Sequence, residues 1–240
     1  TTRSIFCVVR LRNIVEIITR GTAAEFAQGT FAPLSVLLVE GAERPRAAVS
    51  SGIPDEDFLR DEVPMTKREV RAAALSLLEV EEDDVLWDVG AGTGSVSVEL
   101  ALLARRGRVY AVERKGEALS LICANRTRFG AWNLVPVRGT APAALEDLPA
   151  PDGVFVGGSG GELDAILAAA LGKNPRVRLC VSAIALETLS AAAAAFAARG
   201  LEAQVTQIWA ARSKGAGGLN LMMGQNPVWL ISGRRREEEA

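Results

Sequence analysis

The stretch Val85-Leu-Trp-Asp-Val-Gly-Ala-Gly-Thr-Gly-Ser95 decides the fold: an apolar run breaks at Asp88 into Gly90, Gly92 and Gly94, and a helical pattern follows. Glycines at that spacing let the backbone turn tightly after a strand and approach a ligand closely, while the first N–H groups of the next helix can receive a carboxylate. The next apolar segment, Arg108–Val112, ends at Glu113, an acid placed where ribose hydroxyls can be held. The reading is a strand, loop and helix that cradle a nucleotide-type cofactor.

Two cofactors compete for this loop. A dinucleotide fingerprint counted from Gly90 has Gly92 in register but places Ser95 where the last small residue should stand. The frame that fits is D-x-G-x-G-x-G, which resembles the first motif of class I S-adenosylmethionine-dependent methyltransferases. On this loop alone a nicotinamide or flavin, and a purely structural turn, stay open beside S-adenosylmethionine.

Composition narrows the chemistry. With 240 residues, 49% of them hydrophobic, the chain can bury a substantial core. Lys and Arg number 27 against 29 Asp and Glu, so the net basic field that nucleic-acid binding needs is missing, and a small or anionic substrate is expected. There is no histidine, so proton transfer falls to carboxyl groups, Lys, Tyr, Cys, water or the substrate itself, and His-based triads and most catalytic zinc sites are excluded. No metal site is apparent. Cys7, Cys123 and Cys180 sit singly in apolar settings, which predicts buried, reduced thiols. No apolar run is long enough to span a membrane, and Ser4–Val9 is too short for a secretory signal, so a cytoplasmic protein is expected.

From Thr66 onward the pattern alternates helix and strand. Thr66 and Glu69 predict a capping box for a helix over Lys67–Leu78. Strands are predicted at 85–89, 108–112, 134–137, 153–156, 177–182, 203–209 and 228–231, and helices at 96–104, 117–129, 141–148, 163–171 and 186–198. This is an α/β, Rossmann-like, doubly wound sheet of seven strands, whose last two strands lack an intervening helix and should form an antiparallel edge pair. Residues 1–49 stand outside the alternation: Ile5–Ile18 is apolar, Ala23–Ala27 reads as a short helix, Leu34–Val39 as a strand, and Gly41–Gly52 as a linker. They read as a remnant of an upstream domain, with the methyltransferase-like domain over 50–240. Arg234–Glu239 reads as a solvated tail.

Several further segments, Gly52–Phe58, Met65–Arg71, Gly139–Pro142, Val156–Leu163 and Gln225–Val228, together with the glycine loop, resemble one family. It is the precorrin methyltransferase that methylates carbon 15 of the macrocycle and decarboxylates its ring C acetate. The segments Gly21–Phe26 and Phe31–Glu40 resemble the tail of the carbon 5 methyltransferase domain fused upstream in two-headed relatives. The resemblance implies S-adenosylmethionine as cofactor, held by Thr66, Gly90, Ala91, Gly92, Thr93, Gly94, Glu113 and Ala141. Asp88, below the loop, either orients loop amides or sits near the cationic end of the cofactor, its alternative being to satisfy local backbone donors. The resemblance also implies homo-oligomers, tetramers among them, and Ala191–Ala198 offers a small-residue helix face for core or interface.

The glycine-rich run Gly157, Gly158, Ser159, Gly160 and Gly161 follows the fourth strand at the switch point, where a flat, bulky tetrapyrrole can lie close to the backbone. Because such a substrate carries many carboxylates, basic residues near the crevice, Lys67, Arg68, Arg212 and Lys214, are candidates to meet them. Arg212 and Lys214 lie on a segment, 210–219, that folds over the macrocycle or forms a solvated hairpin. The expected chemistry is substrate-assisted, with the macrocycle's protonated imine as electron sink. Glu162 is the candidate for proton handling, its alternative being to start the following helix. Competing readings are a methyltransferase acting on a protein carboxylate or small-molecule hydroxyl, a nicotinamide oxidoreductase, and a non-catalytic scaffold.

Overall fold

The computed structural model describes residues 4–9, 17–31, 35–40 and 51–235, and the chain divides into two compact units, Thr1–Arg46 and Ala47–Ala240. In the first, β1 (Ser4–Val9) lies between β2 (Ile17–Thr22) and β3 (Ser35–Glu40) in an antiparallel sheet. At α1 (Ala23–Phe26) the Glu25 carboxylate accepts hydrogen bonds from the Thr22 amide at 2.6 Å and the Thr22 hydroxyl at 3.0 Å. The linker read at 41–52 lies, as far as Ser50, outside the described residues, as do residues 236–240 of the tail.

The second unit runs α2 (Arg68–Leu77), β4 (Val85–Val89), α3 (Ser95–Leu103), β5 (Arg108–Glu113), α4 (Gly116–Phe129), β6 (Leu134–Arg138), β7 (Gly153–Val156), α5 (Leu163–Lys173), β8 (Arg178–Ala183), α6 (Leu186–Ala198), β9 (Leu201–Ile208), β10 (Ala211–Ala216), β11 (Leu219–Gly224) and β12 (Val228–Arg235). Seven strands form one sheet in the order β6-β5-β4-β7-β8-β12-β9. The first five run parallel, and β12 is antiparallel to both β8 and β9. The α/β sheet with an antiparallel edge is thus realised as the alternation predicts.

Parallel strands covered on both sides must be apolar on both faces, and alternation along each strand sends neighbours to opposite layers. Leu86, Val109, Ala111, Phe155 and Leu230 pack with α2, α3 and α4. Trp87, Val89, Val112, Val154, Val156 and Ile231 pack with α5 and α6. The sheet order reverses between β5 and β7, on either side of β4, so the carboxyl ends of β4 and β7 open a crevice.

Four local expectations are corrected. The helix predicted over 141–148 is only a 3-10 turn, Ala143–Leu145, because Pro142 lacks an N–H and disfavours helical backbone at Ala141. The Thr66–Glu69 capping box does not form: Lys67 is the N-cap, without a side-chain bond, and the Glu69 carboxylate goes to Arg212 instead. Of the two alternatives for 210–219, the hairpin is the one that forms, from β10 and β11, closed by Gly217 and Gly218, both at positive φ as a two-residue turn requires. Cys123 is exposed on α4, whereas Cys180 is buried and its thiol is pushed up to about 12 by burial. Arg234 and Arg235 extend β12 rather than joining the tail, and Arg234 meets Glu79 at 3.2 Å.

Candidate cofactor and substrate site

Two glycine loops meet at the crevice. The Gly90 and Ala91 amides donate to the Val112 carbonyl at 3.0 and 3.2 Å, and the Gly157 and Gly158 amides donate to the Val89 carbonyl at 2.9 and 3.3 Å. Strand ends are therefore satisfied by the neighbouring loop, which fixes the two loops to each other. Gly90 has φ +74, and a Cβ there would stand 2.4 Å from the Gly158 carbonyl oxygen. Absence of that one carbon is what lets the loops close.

They line a cavity of about 600 Å³, within the range of small-molecule sites. Of the residues expected at a cofactor, Thr66, Asp88, Gly90 and Ala91 line it, as do Gly92, Thr93, Glu113 and Ala141. Gly94 does not. It is the left-handed N-cap of α3, and a Cβ there would press on Ile122 at 3.0 Å. Of the expected substrate loop, Gly157, Gly158, Ser159 and Gly160 line the cavity, with Glu162, while Gly161 does not. Arg212 and Lys214 are also away from it, and among the basic candidates only Lys67 lines it. Arg212 is bound instead to Glu69 and Asp55.

The electrostatics follow from who is paired. Glu113 is nearly buried: one carboxylate oxygen accepts the Gly92 amide at 3.0 Å, the other the Arg114 and Lys115 amides, each at 2.9 Å. Three amides fix its orientation, and the oxygen that accepts only the Gly92 amide keeps acceptor capacity. Asp88 is buried beneath the loop, with one oxygen accepting the Ser97 hydroxyl and the other, Oδ1, without a partner. Burial pushes its carboxyl up to about 7; Ser97 opposes the shift and the Glu113 charge adds to it. The buried Thr93 hydroxyl also lacks a partner. Buried polar atoms left unsatisfied at a cavity wall are rare in folded proteins and suit a site that takes a polar ligand.

Glu162 is the N-cap of α5, where an acid suits the helix dipole, and its side chain makes no cap hydrogen bond. The sequence reading gave no role to Arg114, Lys115, Ile184, Gln225 and Asn226, all of which line the cavity. Gln225 and Asn226 belong to the Gln225–Val228 segment that carried the family resemblance, which was the available signal; for Ile184, just past β8, there was none.

A sequence profile described as "Precorrin methyltransferase domain" matches residues 56–234. This chain belongs to that family. The precorrin methyltransferase domain is 49% identical over 184 residues to a Pyrobaculum calidifontis protein named "Probable cobalt-precorrin-6B C(15)-methyltransferase (decarboxylating)", covering 75% of this chain and 94% of that one. A solved structure from Geobacter metallireducens, named precorrin-6y C5,15-methyltransferase, shares 37% identity at TM-score 0.74, covering 78% of this chain and 99% of its own. The Methanobacterium thermoautotrophicum precorrin 8W decarboxylase structure shares 40% identity at TM-score 0.72, covering 75% and 98%. The fold of this precorrin methyltransferase domain is that of the class I S-adenosylmethionine-dependent methyltransferases.

Proposed function

We propose that this chain methylates carbon 15 of a precorrin macrocycle with S-adenosylmethionine and decarboxylates its ring C acetate, in cobalamin biosynthesis. The observation that carries the reading is the cavity between Gly90–Thr93 and Gly157–Gly160, with Glu113 at its wall, in a member of the precorrin methyltransferase family. Bound there, S-adenosylmethionine supplies a methyl group already activated on its sulfonium.

The chain's own residues bind, orient and exclude water. In this reading Glu113 holds the ribose diol, the start of α3 receives the cofactor's carboxylate, Thr66 and Ala141 border the cofactor, and Asp88 faces its cationic end. The nearly side-chain-free loop 157–160 lets a flat macrocycle approach the donated methyl, and alignment is the main requirement for that transfer. Lys67 meets a substrate carboxylate. Loss of carbon dioxide from the acetate leaves its electron pair to the macrocycle's protonated imine, and the remaining carbon must gain a proton, which in this reading Glu162 delivers.

Glu113→Ala is expected to weaken S-adenosylmethionine binding by about 10–100-fold, the range for losing one or two hydrogen bonds to a charged acceptor. Calorimetry on wild type and variant, with NADH as control ligand, tests it; binding of NADH alone would overturn the methyltransferase reading. Glu162→Gln is expected to slow formation of the protonated, decarboxylated product by about a hundredfold while methyl transfer persists. Measuring both products in one reaction checks this, and equal formation by the variant removes Glu162 from the mechanism.

Residues 1–49 are the tail of an upstream tetrapyrrole methyltransferase domain with its linker. The chain works in the cytoplasm; no helix of the described residues is long and apolar enough to cross a membrane. It assembles as a homo-oligomer, supported by exposed Leu219, Leu221, Met222 and Met223 on the hairpin, an apolar cluster of the kind that marks association surfaces.

A further inference from the structure

The residue expected at substrate carboxylates, Arg212, is occupied elsewhere, and its partners lead back to the cavity. Its guanidinium grips Glu69 through Nε at 3.0 Å and Nη2 at 2.6 Å, and Asp55 through Nη1 at 2.8 Å. Among the described residues it is the hairpin side chain that hydrogen-bonds to the body of the fold; β10 and β11 pair only with each other.

Both ends of this grip adjoin the cavity. On the hairpin side, Ala210 and Gln225 close the base, the Gln225 amide donating to the Ala210 carbonyl at 2.9 Å, and both line the cavity with Asn226. On the other side, Glu69 stands in the first turn of α2, directly after Thr66 and Lys67, which also line it. Asp55 is shared with the buried Arg71, which donates to it at 2.7 Å and to the Thr66 carbonyl at 2.5 Å. Burial pushes the Asp55 carboxyl up, but the hydrogen bonds and charges of Arg71 and Arg212 outweigh it and hold it below the ordinary range; the Arg212 hydrogen bond does the same for Glu69.

We propose that Arg212 is a positioning residue for the substrate: by bridging Glu69 and Asp55 it holds the hairpin base in register with the start of α2, so the macrocycle's half of the cavity is shaped before binding. Preorganisation of this kind saves the ordering of mobile groups on association. The cofactor's half is built on Gly90–Thr93 and Glu113, away from the hairpin, and Thr66, which borders the cofactor, is held at its carbonyl by Arg71 as well. The inference rests on the precorrin reading for its substrate, but the grip itself is observable without any substrate.

The test compares wild type with R212M, R212K and E69Q at matched oligomeric mass by light scattering. In the ligand-free proteins, hydrogen exchange over 211–224 is expected to accelerate in R212M. With S-adenosylmethionine saturating, R212M is expected to raise KM for the precorrin substrate about tenfold and to move the S-adenosylmethionine Kd by less than about twofold, because the two halves of the cavity are held separately. R212K, which keeps the charge but not the two-pronged fork, falls between. E69Q alone raises KM, and the R212M/E69Q double variant is no worse than R212M, the non-additivity expected of one contact. A raised KM in R212M with E69Q unchanged would mean that Arg212 touches substrate directly, which overturns positioning. So would unchanged exchange and KM in R212M, or a fall in thermal stability with both constants worsening together. Absence of methyl transfer by wild type defeats the precorrin reading instead, and leaves the exchange result to judge the grip.

Discussion

Gly90→Ala is expected to show no calorimetric heat with S-adenosylmethionine at concentrations that saturate the wild type. Two effects add at this position. The backbone is left-handed there, φ +74, which disfavours an L side chain by roughly 1–2 kcal/mol. The larger effect is steric: the new Cβ would lie 2.4 Å from the oxygen, 2.7 Å from the nitrogen and 2.8 Å from the Cα of Gly158. All three are backbone atoms, so no rotamer relieves the contact. The 157–160 loop has to retreat, and its Gly157 and Gly158 amides then lose the Val89 carbonyl that anchors them. Gly116→Ala is the matched control: it sits at the start of α4 with nothing within 4 Å of the added carbon, and it should bind like wild type. Wild-type affinity in Gly90→Ala would show that the two loops are not locked together.

Arg71→Met is expected to lower stability by about 3–5 kcal/mol, the range for stranding one member of a buried ion pair, and the melting temperature by roughly 10 °C for a chain of this size. Arg71 is fully buried in α2. It donates to Glu99 at 2.7 Å, to Asp55 and Thr66, and to the Ile53 carbonyl, with its guanidinium 4.8 Å from the centre of the Phe58 ring. Without it, Glu99 stays buried in α3 with only the Gly52 and Ile53 amides, at 2.6 and 3.1 Å, to compensate its charge. Arg71→Met combined with Glu99→Gln should recover part of the loss, since the stranded charge goes too. Urea unfolding of the three chains checks both statements; a loss below about 1 kcal/mol in the single variant contradicts the buried-charge account.

The sheet was legible because its signals are local. Apolar runs of four to eight residues and the glycine loop carry strand, turn and helix start within a few positions of one another. Where a local rule misled, another residue nearby had already broken it: Pro142 in the helix expected over 141–148. Arg71 could have been found too. It shares helical spacing with Ala74, Leu75 and Leu78, all buried, so a charge on that face needed a buried partner. The residues proposed for the cofactor were similarly readable as neighbours, because they cluster around one loop and the next strand end, and all but Gly94 line one cavity.

The substrate side was less so. Arg212 reaches back 143 residues to Glu69 and 157 to Asp55, a separation that no spacing rule reports, and a basic residue facing a proposed polyanion looks the same in sequence as one held by two carboxylates. Asn125 is another such case: it ties the Leu59 backbone to the Thr93 carbonyl, stapling the segment before α2 to the glycine loop. Nothing about a polar residue in mid-helix announces that task.

Asp88 brings proton traffic into a chain without imidazole. Its carboxyl titrates near 7 when folded against 3.8 in the ordinary state, so ionising it opposes folding: its contribution is intact below about pH 4 and drains away as pH climbs through 7. A cationic ligand seated beside the unpartnered oxygen favours the ionised form and restores what was lost. For a ligand of that kind, uptake of its positive charge and release of a proton are two sides of one equilibrium around neutrality.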